Sequence, residues 1–310
     1  MSKPTVLPMA TQNTSSSLDV NPDVNLAMLM SHFLAGIKVV MVNTTLPANI
    51  GSAARAMYTM GLSHLTVVSP KLPVDDDAYA HAAGAVHILD NLTLCDSLEE
   101  ALQDCHWVIA TSSRQRHIPK PVLTPRQAAT LMTQNFLAIS THKPTSISEP
   151  STDMPQSWRL AIVFGREDRG LTNEELQLAD YHIQIPANPN YGVLNVAAAV
   201  QVISSVFFET AEQQFAAASH PDEHEAAGVE KSIYLNFRQQ WDEPPMTHQQ
   251  QQQLQQRLLQ LLVALDIYHP EQSKVMPQRL SRLLGRLQLD IKEYQLLQAM
   301  IAKLMRHQQP

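Results

Sequence analysis

The feature that most constrains the fold is a set of short apolar, β-branched runs separated by stretches of helical character. The runs are IKVVMV, LTVVSP, HWVIATS, LAIVFG and YHIQIPA, and the first begins at Ile37. Within each run apolar residues follow one another almost without interruption, as in strands that are buried on both faces. Strands that alternate with helices predict an α/β fold, with a parallel sheet covered by helices on both faces.

The chain divides into four predicted segments. Residues 1–36, which start rich in Ser, Thr, Asn and Pro, are expected to form a disordered extension, and residues 37–209 the α/β domain. An acidic, Ala-rich linker follows at 210–231, and residues 232–310 are predicted to form a small helical domain. The glutamine run before Leu254 is expected to extend a helix of that domain, because Gln tolerates helices well. The polar, Pro-rich segment 141–158 is expected to be a mobile loop.

Charge is distributed unevenly along the chain. The formal net charge is -7, which argues against a general polyanion binder. From Glu271 to Arg306, however, seven basic and three acidic residues give a local charge of +4. Such a run indicates contacts with phosphates, although a solvated helix face is the commoner explanation.

Cysteine usage and the apolar runs argue against a disulfide-stabilised, a secreted and a membrane-spanning protein. Two cysteines, Cys95 and Cys105, make no disulfide framework, and the chain has no CxxC or HExxH spacing, so we predict no metal site. Both are expected to be small buried residues in a reducing cytoplasm. The N-terminus lacks the pattern of a secretory signal, and the run NLAMLMSHFLAGIKVVMV carries His32 and Lys38, which argues against a membrane span.

The first candidate for chemistry is the segment NTTLPANIGSAARAMYTMGL, which follows the first predicted strand. At helical spacing Ile50, Ala54 and Met57 share an apolar side, and Arg55 falls well away from it. Helices that open at the carboxyl end of a strand border the usual ligand site of an open α/β sheet. Arg55 is therefore either a site residue or an ordinary solvated arginine.

The second candidate is IVFGREDRGLTNEEL, in which a buried strand leads into a loop with Gly165 and Gly170. Glycines allow the backbone to approach a ligand closely. Thr172 followed by Glu175 predicts a capping box at the start of a helix. The chain has neither GxxxxGK[ST] nor GxGxxG, which disfavours a free phosphate or a dinucleotide and leaves adenosine held by backbone groups open.

The third candidate is NPNYGVLNVAAAV, from Asn188 to Val200, which lies between an apolar strand and an apolar helix. Its prolines and glycine restrict the path of the backbone, which indicates that the shape of the loop matters. A tight strand-to-helix turn without further function is the alternative.

These three segments, taken together, resemble the three motifs of the SpoU branch of the SPOUT RNA methyltransferases. The matching residues are Asn49 to Arg55, Phe164 to Glu167 with Gly170 to Thr172, and Leu194 to Ala197. AMYTMGL, AAGA, TSSRQR, GLTNEEL and ANPNY are similar to the TrmJ type of this family. The resemblance covers about Ile37 to Phe208, and the C-terminal VMPQRLSRLL resembles the family more weakly.

The resemblance implies an S-adenosylmethionine-dependent enzyme that methylates the ribose 2'-OH of the nucleotide, C or U, at position 32 in tRNA anticodon loops. It also implies a trefoil knot at the C-terminal end of the α/β sheet, a homodimer, tRNA as partner, and no metal. The alternatives are methylation of another tRNA or rRNA site, and a knotted RNA-binding relative without catalysis. A Rossmann oxidoreductase that binds NADH is a more distant alternative, which the absence of GxGxxG disfavours.

Site residues follow from the same resemblance. The catalytic residues would be Arg55 and Asn195. The cofactor-binding residues would be Thr111, Ser112, Ser113, Gly165, Ile185, Gly192, Val193 and Leu194. Arg114 and Arg116, which follow the loop after HWVIA, and Arg279 and Arg282 of the basic tail would bind RNA, with ordinary surface charge as the alternative. Because a guanidinium has a pKa above about 12, Arg55 is better suited to orient a phosphate and stabilise a developing alkoxide than to act as a base.

One position departs from the family pattern. Members of this branch commonly have a serine immediately before Leu-Asn, and this chain has Val193 there. Any function of that hydroxyl is absent, whereas contacts through the backbone are compatible with valine.

Overall fold

The structure is a computed structural model that describes residues 22–112, 120–140, 158–219, 243–271 and 275–307. Its strands are β1 (Ile37–Val42), β2 (His64–Val68), β3 (Thr93–Cys95), β4 (Trp107–Thr111), β5 (Val122–Leu123), β6 (Leu160–Phe164) and β7 (Tyr181–Ile183). They form one sheet in the order β3-β2-β1-β6-β4-β7-β5, and every neighbouring pair is parallel. The five predicted strands are confirmed, and the short β3 and β5 were not predicted.

The helices alternate with the strands and then continue alone. They are α1 (Pro22–Ala35), α2 (Pro47–Thr59), α3 (Asp76–Ala82), α4 (Val86–Asp90), α5 (Leu98–Leu102), α6 (Pro125–Ser140), α7 (Asn173–Gln177), α8 (Val196–Ser219), α9 (His248–Ala264), α10 (Met276–Leu287) and α11 (Ile291–His307). A short 3-10 turn, Ala83–Ala85, joins α3 to α4.

The core lies on both faces of the sheet. Along β1, Val39 and Met41 pack into one layer with helices α1, α2, α6 and α8, while Val40 and Val42 pack into the other layer with α5 and α7. This division follows from the alternation of side chains along a strand. The predicted α/β class, with a parallel sheet between two helical layers, is confirmed.

The N-terminal expectation is wrong for part of the chain. Residues 1–36 were expected to be disordered, but α1 occupies Pro22–Ala35 and its Phe33 is fully buried. The Phe33 ring packs against those of Phe136, Trp158 and Phe215, with ring centroids 5.0 to 5.6 Å apart. Such aromatic contacts add to the free energy gained by burial, so α1 belongs to the core of the α/β domain.

Other predicted boundaries also differ. Helix α8 continues to Ser219, past the domain end expected at residue 209. Most of the predicted linker, residues 220–231, lies outside the described residues, as does nearly all of the predicted mobile loop, residues 141–157.

Three helices, α9 to α11, form the C-terminal part of the described chain. They share a small core of Leu254, Leu261, Leu284 and Ile301. The glutamine run lies inside α9, as predicted, and a capping box between Thr247 and Gln250 begins this helix.

These C-terminal helices pack against the amino-end edge of the sheet. The His248 N–H donates to the carbonyl of Cys105, two residues before β4, at 2.6 Å. Lys120 Nζ donates to Ser281 Oγ of α10 at 3.2 Å, and Lys120 lies two residues before β5. Asp180, directly before β7, is buried in the same interface. The three contacts fix the helices at the end of the sheet where the strands begin.

Three further findings concern possible metal sites, membrane spans and thiols. Among the described residues, no three His, Cys, Asp or Glu side chains are placed to hold a metal ion. No helix of the described part is long and apolar enough to cross a membrane. Cys95 and Cys105 are buried free thiols, as predicted, and burial raises the pKa of Cys105 to about 12.

Candidate active site

Four loops meet at the carboxyl-end edge of the sheet. Strands β1, β6, β4 and β7 are consecutive neighbours and run parallel, so the loops that follow them lie side by side. These loops carry the three segments singled out in the sequence, together with Thr111 and Ser112 after β4. This edge is where open α/β sheets bind ligands, opposite to the edge that α9 to α11 cover.

A cleft opens between these loops. It is lined by Thr111, Ser112, Phe164, Gly165, Arg166, Glu167, Asp168, Arg169, Gly170, Leu171, Ile183, Ile185, Gly192, Val193, Leu194, Val196 and Ala199. Every residue that we expected to hold the cofactor lies in this lining, except Ser113, which is outside the described residues. The structure therefore brings together residues that are up to 83 positions apart in the chain, from Thr111 to Leu194.

Glycines shape one side of the cleft. A Cβ atom at Gly165 would overlap the backbone of Gly170 and Leu171, and Gly170 has a φ of +69°, which disfavours other residues. The loop between Gly165 and Leu171 therefore folds back on itself with its backbone at the cleft. Phe164, Leu171 and Ile183 add apolar surface. Backbone polar groups beside apolar side chains suit a flat heterocycle such as adenine.

The opposite side of the cleft is the loop that follows β7. The N–H of Tyr191 donates to the carbonyl of Asn188 at 3.0 Å, and the Asn188 side chain accepts from the N–H of Asn190 at 3.0 Å. These bonds form a local turn of the kind that asparagine favours. Because Gly192, Val193 and Leu194 continue directly into the cleft lining, the segment is both a turn and one wall of the cleft.

Arg166 holds the shape of the second motif. Its guanidinium donates to both carboxylate oxygens of Glu175, at 2.8 and 2.9 Å, and to Asn43 Oδ1 after β1 at 2.9 Å. Burial acts to raise the pKa of Glu175, but the bonds from Arg166 outweigh it and hold the pKa below its usual range. The predicted capping box at Thr172 and Glu175 is confirmed. Sequence reasoning assigned no role to Arg166 or to Asn43.

A second network joins all three motifs. The carboxylate of Glu167 accepts from Asn49 Nδ2 at 2.8 Å and from the N–H of Thr45 at 3.1 and 3.2 Å. Asn195 Nδ2 donates to Asn49 Oδ1 at 3.0 Å, and Asn195 Oδ1 accepts from the N–H of Ala197 at 2.9 Å, which caps α8. Burial acts to raise the pKa of Glu167, but the bonds from Asn49 and Thr45 lower it. Asn195 thus connects the motifs through Asn49, a residue to which sequence reasoning gave no role of its own.

Arg55 lies on the exposed side of α2 and does not line the cleft of its own chain. Among the described residues its guanidinium has no hydrogen-bond or ion-pair partner. The predicted apolar side of this helix is confirmed, because Ile50, Ala54 and Met57 are fully buried or nearly so.

The predicted RNA-binding residues fall into two groups. Arg114 and Arg116 lie outside the described residues. Arg279 and Arg282 are exposed on one face of α10, on the part of the molecule that covers the amino-end edge of the sheet. These two arginines therefore do not meet the cleft within one chain.

The sequence model described as the SpoU rRNA Methylase family matches residues 36–205, more than half of the chain. The chain belongs to this family. The matched range contains the whole sheet and every residue that lines the cleft.

Individual relatives agree with the family assignment. The chain is 38% identical over 267 residues to the tRNA (cytidine/uridine/adenosine-2'-O-)-methyltransferase TrmJ of Pseudomonas aeruginosa, covering 86% of this chain and 93% of the relative. It is 45% identical over 171 residues to the tRNA (cytidine/uridine-2'-O-)-methyltransferase TrmJ of Pectobacterium atrosepticum, covering 55% and 63%. The crystal structure of TrmJ from Z. mobilis ZM4 matches with a TM-score of 0.64 at 26% identity, over 87% of this chain and all of that one.

Proposed function

We propose that this chain transfers a methyl group from S-adenosylmethionine to the ribose 2'-OH of nucleotide 32, C or U, in tRNA anticodon loops. The observation that carries the proposal is the cleft in which the three motif loops meet at the carboxyl-end edge of the sheet. The names of the relatives support tRNA and the 2'-oxygen as targets. Position 32 rests on the resemblance of the motifs.

S-adenosylmethionine would supply the methyl group: as the ribose 2'-oxygen bonds to the methyl carbon, the carbon–sulfur bond breaks, S-adenosylhomocysteine leaves, and the hydroxyl proton passes to water. The adenosine would be held, mostly through backbone groups, by the cleft residues Thr111, Ser112, Gly165, Ile185, Gly192, Val193 and Leu194. Gly165 supports this assignment through the shape of its loop: a Cβ there would overlap the backbone of Gly170 and Leu171, so glycine is what lets the loop fold back along the cleft. We propose Ser113 as a further contact of the same loop.

Arg55 orients a phosphate of the RNA and stabilises the negative charge that develops on the 2'-oxygen. A fixed guanidinium can do both without accepting a proton. Asn195, which we expected to be catalytic, acts by holding the third motif against Asn49, since its amide is used in that contact and in the cap of α8.

A homodimer would complete the site. Arg55 does not line the cleft of its own chain, whereas Tyr191 beside the cleft is 83% exposed and Val193 in its lining is 63% exposed. A second copy packed on this loop would cover these apolar side chains and bring its own Arg55 to the cleft. Mixing an Arg55→Ala protein with a Gly165→Ala protein should then restore methylation that neither has alone, and no recovery after subunit exchange would contradict the shared site.

The trefoil knot is part of the same proposal. The loop between β7 and α8 lies against the loop after β6, with both lining one cleft, and β6 is inserted between β1 and β4. Threading of the later loop through the earlier one would hold the two together.

In this proposal the tRNA contacts two regions of the protein. Arg114 and Arg116 follow Thr111 and Ser112 in the chain, whereas Arg279 and Arg282 lie on α10 beyond the other edge of the sheet. The longer strands between these edges, β1, β2, β4 and β6, have five or six residues, or about 17 to 20 Å. We propose that the C-terminal helices, with residues 232–310 as the tRNA-binding domain, hold the tRNA at a distance from its target nucleotide.

The proposal is tested by nucleoside mass spectrometry of tRNA from a strain that lacks this protein, mapped to position. Loss of 2'-O-methylation at position 32, restored by the wild-type chain but not by Arg55→Ala, is the expected result. Unchanged methylation at position 32 with loss at an rRNA or other tRNA site would replace the target and leave the methyltransferase assignment in place.

A further inference from the structure

The C-terminal helices contain a polar groove that none of the proposed contacts uses. It runs between α9 and α11 and is lined by Gln253, Gln256, Arg257, Gln260, Tyr294, Gln295 and Gln298. The α9 members recur every three or four residues and so share one side of that helix. His248 and Gln251, which are buried against the α/β domain, belong to a different side of α9. The groove therefore opens away from the sheet.

The groove has hydrogen-bonding capacity that the chain itself leaves unused. Among the described residues, the exposed side-chain amides of Gln256, Gln260 and Gln295 have no hydrogen-bond partner within the protein, and the buried Oε1 of Gln298 has none either. Tyr294 donates its hydroxyl to Gln253 Oε1 at 3.0 Å, which ties the two helices together across the groove. Each glutamine amide offers two donors and an acceptor, so the lining is suited to a ligand rich in both.

The charge of the lining limits what that ligand can be. Among the described residues that line the groove, Arg257 is the only charged side chain, and none of them carries a carboxylate. A guanidinium can pair with a phosphate or stack on a base, and an aromatic ring such as Tyr294 offers a second surface for stacking. Amide side chains match the donors and acceptors on the edges of unpaired bases.

We propose that this groove binds unpaired nucleotides of the tRNA substrate, with Arg257 at the backbone and the glutamines at the base edges. This inference rests on the proposed function, since it adds a contact for the same substrate. Helix α9 packs against both α10 and α11, so the groove and the exposed Arg279 and Arg282 belong to one helical unit. The groove adds hydrogen-bond acceptors for base edges, which the guanidinium groups of α10 lack.

The test compares tRNA affinity among variants of the full-length protein. Arg257→Gln removes the charge and keeps a good helix former, and a Gln256→Ala, Gln260→Ala double variant removes two amides at exposed positions. Arg126→Gln, an exposed arginine on α6, is the matched control. Binding of an unmodified tRNA transcript is measured by fluorescence anisotropy at several salt concentrations, and binding of S-adenosylmethionine by calorimetry.

We expect Arg257→Gln to weaken tRNA binding about tenfold and to lower the salt slope by about 1, because one phosphate contact is lost. The double variant should weaken binding with the salt slope unchanged. S-adenosylmethionine binding should stay as in the wild type for all three proteins.

Groove variants whose tRNA affinity matches that of Arg126→Gln would overturn the inference while leaving the proposed function intact. A changed oligomeric state with unchanged tRNA affinity would also overturn it, because the groove would then be a protein contact. Failure of the wild-type protein to bind any tRNA would overturn both proposals.

Discussion

Asn195 Nδ2 lies 3.0 Å from Asn49 Oδ1, so one hydrogen bond joins residues that are 146 positions apart in the chain. Asn49 in turn donates to Glu167, and the three motifs of the cleft are therefore linked side chain to side chain. Because Asn195 also caps α8, the position of that helix is tied to the geometry of the cleft.

Two substitutions at Asn195 separate its two contacts. Asn195→Ala removes both, and we expect a loss of about 1 kcal/mol in the free energy of unfolding from the missing cap. Asn195→Ser keeps a capping oxygen but is too short to reach Asn49. Urea unfolding should therefore show near wild-type stability for the serine variant, whereas calorimetry should show weaker S-adenosylmethionine binding for both. Wild-type cofactor affinity in the serine variant would show that the bond to Asn49 does not support the cleft.

Arg55→Ala should reduce methylation severely and leave cofactor binding intact. The guanidinium is exposed and unpaired among the described residues, so its removal should not disturb the fold. Loss of one preorganised donor to a developing oxyanion lowers turnover by about 10²- to 10³-fold. Turnover is measured with labelled S-adenosylmethionine and a tRNA transcript. Arg55→Lys is the control that keeps the charge and should retain more activity than alanine; normal turnover of the alanine variant would refute the assignment.

Gly165→Ala should prevent S-adenosylmethionine from binding. A Cβ there would overlap the backbone of Gly170 and Leu171, so the loop would have to move and the cleft would change shape. Gly84→Ala is the matched control, because a Cβ at Gly84 meets no atom within 4 Å. Calorimetry of the two variants should give no detectable binding for the first and wild-type affinity for the second. Equal affinities of the two variants would show that the fold of the loop at Gly165 does not determine cofactor binding.

Acid should weaken the packing of the C-terminal helices on the sheet, because His248 is buried in this interface. Burial, with a smaller contribution from Lys120, lowers the pKa of His248 from 6.5 to about 4. The unfolded chain then takes up a proton before the folded one does, so the contribution of His248 to stability is full above pH 6.5 and is lost as the pH falls towards 4. Between pH 6.5 and 4 the predicted loss in the free energy of unfolding is about 3 kcal/mol.

The comparison with His248→Leu isolates this effect. Burial raises the pKa of Asp180 to about 6, so Asp180 changes the free energy of unfolding in the opposite direction over the same pH range. The pH dependence of wild-type stability alone therefore does not report on His248. In urea titrations the difference between wild type and variant should shrink as the pH is lowered from 7 to 4.5. A difference that stays constant would mean that His248 is not held neutral in the folded protein.

The sequence predicted the sheet because its strands are continuous β-branched runs, and it predicted which loops line the cleft because the motif loops all follow such strands. The two-residue strand β5 was missed because Val122 and Leu123 are too short a run to show any period. Helix α1 was missed because the polar residues before it dominated the composition of residues 1–36, although Phe33 completes the aromatic core. The bonds of Asn49 to Asn195 and of Arg166 to Asn43 join distant positions, and local pattern carries no signal for such pairs.

The central claim is tested most directly with purified protein, S-adenosylmethionine and two tRNA transcripts that differ only in the 2'-position of nucleotide 32. With ribose at this position, mass spectrometry of the digested product should show one methyl group on the 2'-oxygen of nucleotide 32. With 2'-deoxyribose there, no methyl group should be transferred. Methylation of the deoxy transcript, or a methyl group on a base, would contradict the account.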